Sequence, residues 1–174
     1  MKNNMELIIP QQLHHAFFFS DNEKMMTDTE ALKELNTSTP FLYEAAFYSG
    51  IQALKPWDIQ EQSIPALIKE WQNVKAKLDL LFAKREVTQA VPLMKKGISL
   101  FLEFIYWANG LPVILKNGSE INQLAIKPVN ITDRLDFIIH RPSLFHSFIV
   151  LAELMTEMNK HYEKALVLKK ASKH

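Results

Sequence analysis

Residues 133–154 read DRLDFIIHRPSLFHSFIVLAEL and crowd two histidines and two arginines around one proline. Asp136 and His140 are four apart, so on a helix they share a face and can pair. If Pro142 divides this stretch into two helices, His140 stands at the C-terminus of one and His146 in the first turn of the next. The helix dipole favours an imidazolium at the first position and disfavours it at the second. A neutral His146 could then act as a base while Arg141 clamps a phosphate, the separation of roles that acid–base sites use. Arg141 and His146 are therefore the candidate catalytic residues, with Arg134, Asp136 and His140 in support. The alternative is that the same residues only form the corner between two helices.

Other groups could also carry chemistry. Glu103 lies inside the most apolar helix, where burial would raise a carboxyl and suit it to general acid work. Lys96, Ser99 and Glu103 also fall on one stripe at spacings of three and four, which favours a face turned to water or a polar neighbour. His14 and His15 are adjacent and cannot share one helix face, so they make a poor metal pair. Glu157 and His161 share a face, but no repeated Glu-x-x-His pattern accompanies them, and no metal is expected. The turns at Lys55–Asp58 and Trp107–Pro112 carry tryptophans that could line a groove; closing the end of a core is the favoured role. The basic C-terminus, Lys169 to His174, could touch an acidic partner or RNA, yet a frayed helix end with favourable dipole charges explains it without one.

Helical periodicity supplies the elements that must position these residues. Thr27-Asp28-Thr29-Glu30 has the capping-box pattern and predicts a short helix to about Leu35. Pro40 starts a second, ended by Pro56. Ser63 caps a third, on which Leu67, Trp71, Val74, Leu78, Leu81 and Phe82 form an apolar stripe. Pro92 opens a fourth that runs to Asn109-Gly110 and is apolar nearly all round, hence central. Asn130 caps a fifth to about His140, and Ser143 a last long one to about Lys169, with Phe145, Phe148, Ile149, Met155, Met158 and Tyr162 facing inward. Asn117-Gly118 between apolar runs is a hairpin signal, so one small β-hairpin is allowed near 113–122.

The expected fold is all-α: a single helical bundle of five or six helices, with residues 1–38 as an irregular N-terminal segment carrying a short helix packed on the body, and 39–174 as the helical domain. The scarcity of glycine, four in 174 residues, agrees with helices over turn-rich sheet. No cysteine is present, which excludes disulfides and thiolate metal sites and fits a reducing compartment. A net charge of +1 lacks the basic excess of a dedicated nucleic-acid binder. The most apolar run, 98–108, is interrupted by Ser99 and Glu103 and is too short to span a bilayer. A cytoplasmic protein without cofactors is expected, contacting no membrane; monomer and homodimer both stay open.

Two resemblances bear on function. Arg141-Pro142-Ser143-Leu144-Phe145-His146 is similar to the Arg-x4-His signature of HEPN-type helical ribonucleases. That resemblance would imply metal-independent RNA cleavage, with Arg141 on the phosphate and His146 aiding the 2′-hydroxyl. The family usually has a polar residue after the arginine, where this chain has Pro142. Separately, KPWD, YWANGLPV and above all KPVNITDRLDFIIHRPSLFHSFIVLAELMTE, together covering roughly residues 41–165, resemble the YpoC-like family of Bacillus-type bacteria. This resemblance implies a bacterial cytoplasmic protein and no particular chemistry. The leading expectation is a non-enzymatic module that binds another protein through an exposed apolar or aromatic patch; the alternative is the ribonuclease, with RNA as its partner.

Overall fold

A computed structural model describes residues 4–173. Among these residues, five α-helices form the body: α1 (Leu42–Tyr48), α2 (Gln60–Ala83), α3 (Val87–Ala108), α4 (Ile131–His140) and α5 (Phe145–Ser172). The nearly all-apolar α3 is the central rod, packed against α2 on one side and α5 on another. Leu67, Trp71, Val74 and Leu78 of α2 and Phe148, Leu151, Leu154, Met155, Met158 and Tyr162 of α5 are its buried neighbours. Gly97 allows the close approach: a methyl group there would meet Leu151 and Trp71 at 3.0 Å.

The small sheet is not at 113–122. Two strands, β1 (Asn4–Ile8) and β2 (Lys24–Asp28), pair antiparallel with Glu6 opposite Met26, inside the N-terminal segment. Asn117 and Gly118 do turn the chain, with φ of 71° and 64°, but their flanks do not pair. The Leu115 and Lys116 N–H groups instead donate to the Gln12 carbonyl, and Glu120–Gln123 coils into a 3-10 turn. The short helix expected from Thr27 is likewise only a 3-10 turn, Ala31–Lys33, entered through the Asp28 carboxylate, which accepts the Ala31 N–H. Phe18 is buried against Phe41, with ring centroids 5.4 Å apart and perpendicular.

Prolines and caps shift several helix starts. Pro65 and Pro92 lie inside α2 and α3, each past the first turn. Ser63 does not cap α2; its hydroxyl donates to the Pro56 carbonyl at 2.7 Å. Asn130 precedes α4 in a left-handed conformation without a side-chain cap, and Leu144, not Ser143, precedes α5. α1 is shorter than expected, because Gly50 at φ 72° ends it well before Pro56. Among the described residues, no helix is long and apolar enough to cross a membrane.

Candidate functional site

Pro142 divides α4 from α5, and the corner is tied by backbone chemistry. The Arg141 carbonyl accepts the Leu144 N–H at 3.3 Å and the Ser147 hydroxyl. Ser147 is fully buried, so this serine fixes the angle at which α5 leaves the corner. The Arg141 N–H donates to the Phe137 carbonyl at 3.1 Å, closing the last turn of α4.

Phe137 organises the two catalytic candidates. The Arg141 guanidinium lies 5.1 Å from the centre of its ring, within cation–π range. The His146 ring meets the same phenyl edge-on, with centroids 5.3 Å apart at 78°. Arg141 and His146 are both exposed, so the fold brings them to one ring on an open surface.

The three supporting residues go elsewhere. Arg134 Nη1 donates to Glu157 Oε2 at 2.7 Å and to the Val129 carbonyl at 2.9 Å, tying α4 to α5. Burial alone would raise Glu157, but the Arg134 hydrogen bond, the Val129 N–H, the Arg134 charge and His161 together hold it below the usual carboxylate range. His140 Nδ1 meets the Asp136 main-chain carbonyl at 2.7 Å rather than the Asp136 carboxylate. Asp136 instead lines a cavity of about 70 Å³ with His15, Thr132, Leu102 and Tyr106. Burial pushes the His15 imidazole down, Asp136 pulls it up and His140 pushes it down again, with a net lowering.

Glu103 does not face water. It is 2 % exposed on α3 and sits near Glu44 of α1, which is 0 % exposed and had no place among the candidates. Glu44 Oε2 accepts the Trp107 indole N–H at 2.6 Å and the Val113 N–H at 3.2 Å. The stripe from Lys96 through Ser99 to Glu103 runs inward beneath the N-terminal segment: Lys96 bonds Glu70 at 2.6 Å, and Ser99 returns its hydroxyl to the Lys95 carbonyl. The signal was present in Leu42-Tyr43-Glu44-Ala45-Ala46, where a lone acid stands among core-forming residues. Trp57 and Trp107 are both buried and close core ends, as their turns suggest.

Apolar side chains surround the corner. Phe145 and Ile149, expected to face inward, are 58 % and 36 % exposed, and Leu144 is 44 % exposed. The buried seam of α5 runs instead through Phe148, Leu151, Met155, Met158 and Tyr162, which leaves Phe145 on its flank, edge-on to Phe82 at 5.8 Å.

A protein-family model for YpoC-like protein matches residues 61–170, from the first turn of α2 to the last of α5. An uncharacterised protein YpoC of Bacillus subtilis (strain 168) is 32% identical over 135 residues, covering 76% of this chain and 81% of its own. No solved structure matches the chain. Matched over more than half its length by that model, the chain belongs to the YpoC-like protein family.

Proposed function

We propose that the α4–α5 corner is a docking surface for a segment of another protein, one that presents an apolar side chain flanked by carboxylates. The observation that carries this reading is the exposed Phe145, with the exposed Leu144 and Ile149 and the exposed basic side chains of His140, Arg141 and His146 all within five residues of it along the chain. Leaving a phenyl ring largely in water forgoes roughly 1.5–3 kcal/mol of burial free energy. Aromatic and arginine side chains are enriched at such surfaces. Arg141 is already held on Phe137, so less side-chain freedom is lost when a carboxylate binds it. A guanidinium also takes a carboxylate through two parallel hydrogen bonds.

Placing a photo-crosslinking residue at Phe145 tests the proposal in cells expressing the protein at native level. A single defined protein adduct is expected from position 145. It should be absent from position 168, at the far end of α5 where Leu168 is 61 % exposed, and lost with Arg141→Glu. No adduct, or the same adduct from both positions, overturns the reading.

The second reading, a metal-independent ribonuclease, is favoured by one observation: Arg141 and His146 share the Phe137 ring on an open surface. Its supporting residues are otherwise engaged, Arg134 by Glu157 and His140 by a main-chain carbonyl. Cleavage of single-stranded RNA in EDTA, lost in both Arg141→Ala and His146→Ala, would replace docking with catalysis. Intact RNA removes this alternative.

A further inference from the structure

Two carboxyl groups are sealed at the junction between the N-terminal layer and the bundle. Glu44 Oε1 and Glu103 Oε1 are both buried without a hydrogen-bond partner among the described residues. Among the described residues, the cation acting on Glu103 is Lys96, and it is engaged by Glu70 at 2.6 Å. Two buried acids with no counter-ion of their own cannot both ionise at ordinary cost. Tyr43 on α1 lies near both acids and Tyr48 near Glu44, with Tyr106 of α3 next to Tyr48 and the Phe41 peptide beside Glu103. Their hydroxyls are committed, Tyr43 to the Glu34 carbonyl, Tyr48 to Val113 and Tyr106 to Ile114.

The same junction fastens the N-terminal layer. α1 contacts β1 and two 3-10 turns of that layer, Gln11–Leu13 and Ala31–Lys33. Glu44 grips α3 through Trp107 and the 111–116 loop through Val113. That loop in turn donates Leu115 and Lys116 N–H groups to Gln12. Glu44 is the buried one among several contacts that hold residues 4–54 to the rest of the chain, beside the Tyr48 hydroxyl on the Val113 carbonyl and His15 in the cavity it shares with Leu102 and Asp136, and the family match at 61–170 leaves this layer outside it.

We propose that Glu44 and Glu103 form a proton-operated latch: while the pair keeps its protons the N-terminal layer stays seated on α3, and losing a proton from the pair releases the layer from the bundle. Burial pushes Glu44 up to about 7, against the pull of the Trp107 and Val113 hydrogen bonds. Burial and then Glu44 push Glu103 well above the carboxylate range, while Phe41 and Lys96 pull it down. An acid raised in the folded state stabilises most at low pH, and that stability is lost as pH rises through the folded value. The latch therefore opens on the alkaline side.

Hydrogen exchange of the full chain across about pH 6 to 9, corrected for intrinsic rate, reads this directly. Amides of 4–54 should lose protection by up to about tenfold per pH unit, the slope of one linked proton, while α3 and α5 hold theirs. Glu103→Gln should flatten the slope. Should that variant fail to fold, the infrared spectrum of the wild type decides instead: a protonated-carboxyl stretch at about pH 6 that vanishes as the 4–54 amides deprotect. Equal slopes in wild type and Glu103→Gln, simultaneous loss of protection in α3, or no protonated-carboxyl band would each overturn the latch.

Discussion

The Trp107 indole N–H donates to Glu44 Oε2 at 2.6 Å, joining α3 to α1 where both side chains are fully buried. Trp107→Phe removes that donor and part of the ring. It should cost about 2–4 kcal/mol, a core truncation combined with an acceptor left half-satisfied. Glu44→Gln should cost less, because the amide keeps an oxygen for the indole and loses the charge. Urea unfolding at about pH 7 checks the order; a Gln variant less stable than the Phe variant would contradict the assigned roles.

Gly97 sits where α2, α3 and α5 meet. Alanine in a helix ordinarily gains roughly 0.5–1 kcal/mol over glycine. Here the added methyl would lie 3.0 Å from Leu151 Cδ2 and from the Trp71 ring, too close without movement of a packed seam. Gly97→Ala should therefore be destabilising by about 1–3 kcal/mol, measured as a lowered urea midpoint with unchanged slope. A neutral or raised midpoint would mean that the seam has slack.

Asn109 ends α3 and pins the loop before α4. Its amide donates to the Ile105 and Ile126 carbonyls at 2.7 and 2.8 Å, and its oxygen accepts the Ile126 N–H at 2.8 Å. Asn109→Ala strands those main-chain groups and should cost about 1–3 kcal/mol. Exchange of the Ile126 amide should speed up more than exchange in α2.

The helical body was legible because burial there follows a single period: Leu67, Trp71, Val74 and Leu78 can be read as one stripe without knowing what covers them. Glu103 was not, because the stripe Lys96–Ser99–Glu103 looks solvated until α1 is laid over it, and that contact joins residues far apart in sequence. The sheet was missed for a related reason. Its strands are separated by residues 9–23 rather than by a tight turn, whereas Asn117-Gly118 supplies the turn without partner strands. The corner itself was readable from Pro142, down to the end of α4 at His140. Which side chains meet there was not, since only the fold turns Phe137 toward both Arg141 and His146 and turns Asp136 into a different cavity.

Glu157 gives the acid side of the stability profile. Because its carboxyl is held below the usual range by Arg134 and Val129, it stabilises the fold above that range, and the gain is lost as pH falls through its folded value. Glu157→Gln should cost up to about 1 kcal/mol near neutrality, a modest figure because the pair is partly exposed. The gap to wild type should close as pH falls through the folded value, in urea midpoints taken across the acid limb. A gap independent of pH would assign the effect to packing rather than charge.

Two substitutions within three residues of each other separate the corner's architecture from its use. Ser147 is buried and its hydroxyl holds the Arg141 carbonyl, so Ser147→Ala leaves that acceptor with only the Leu144 N–H and should cost about 1–2 kcal/mol. Phe145 is 58 % exposed, so Phe145→Ser should shift stability by no more than about 0.5 kcal/mol beyond its loss of contact with Phe82. Docking should respond in the opposite order. Replacing Phe145 removes the apolar anchor and should abolish a crosslink formed from a probe at the neighbouring exposed Leu144, while Ser147→Ala keeps the anchor and retains the adduct wherever the protein remains folded. If Phe145→Ser leaves the crosslink intact and lowers stability like a core truncation, the phenyl ring belongs to the bundle and the corner is only a corner.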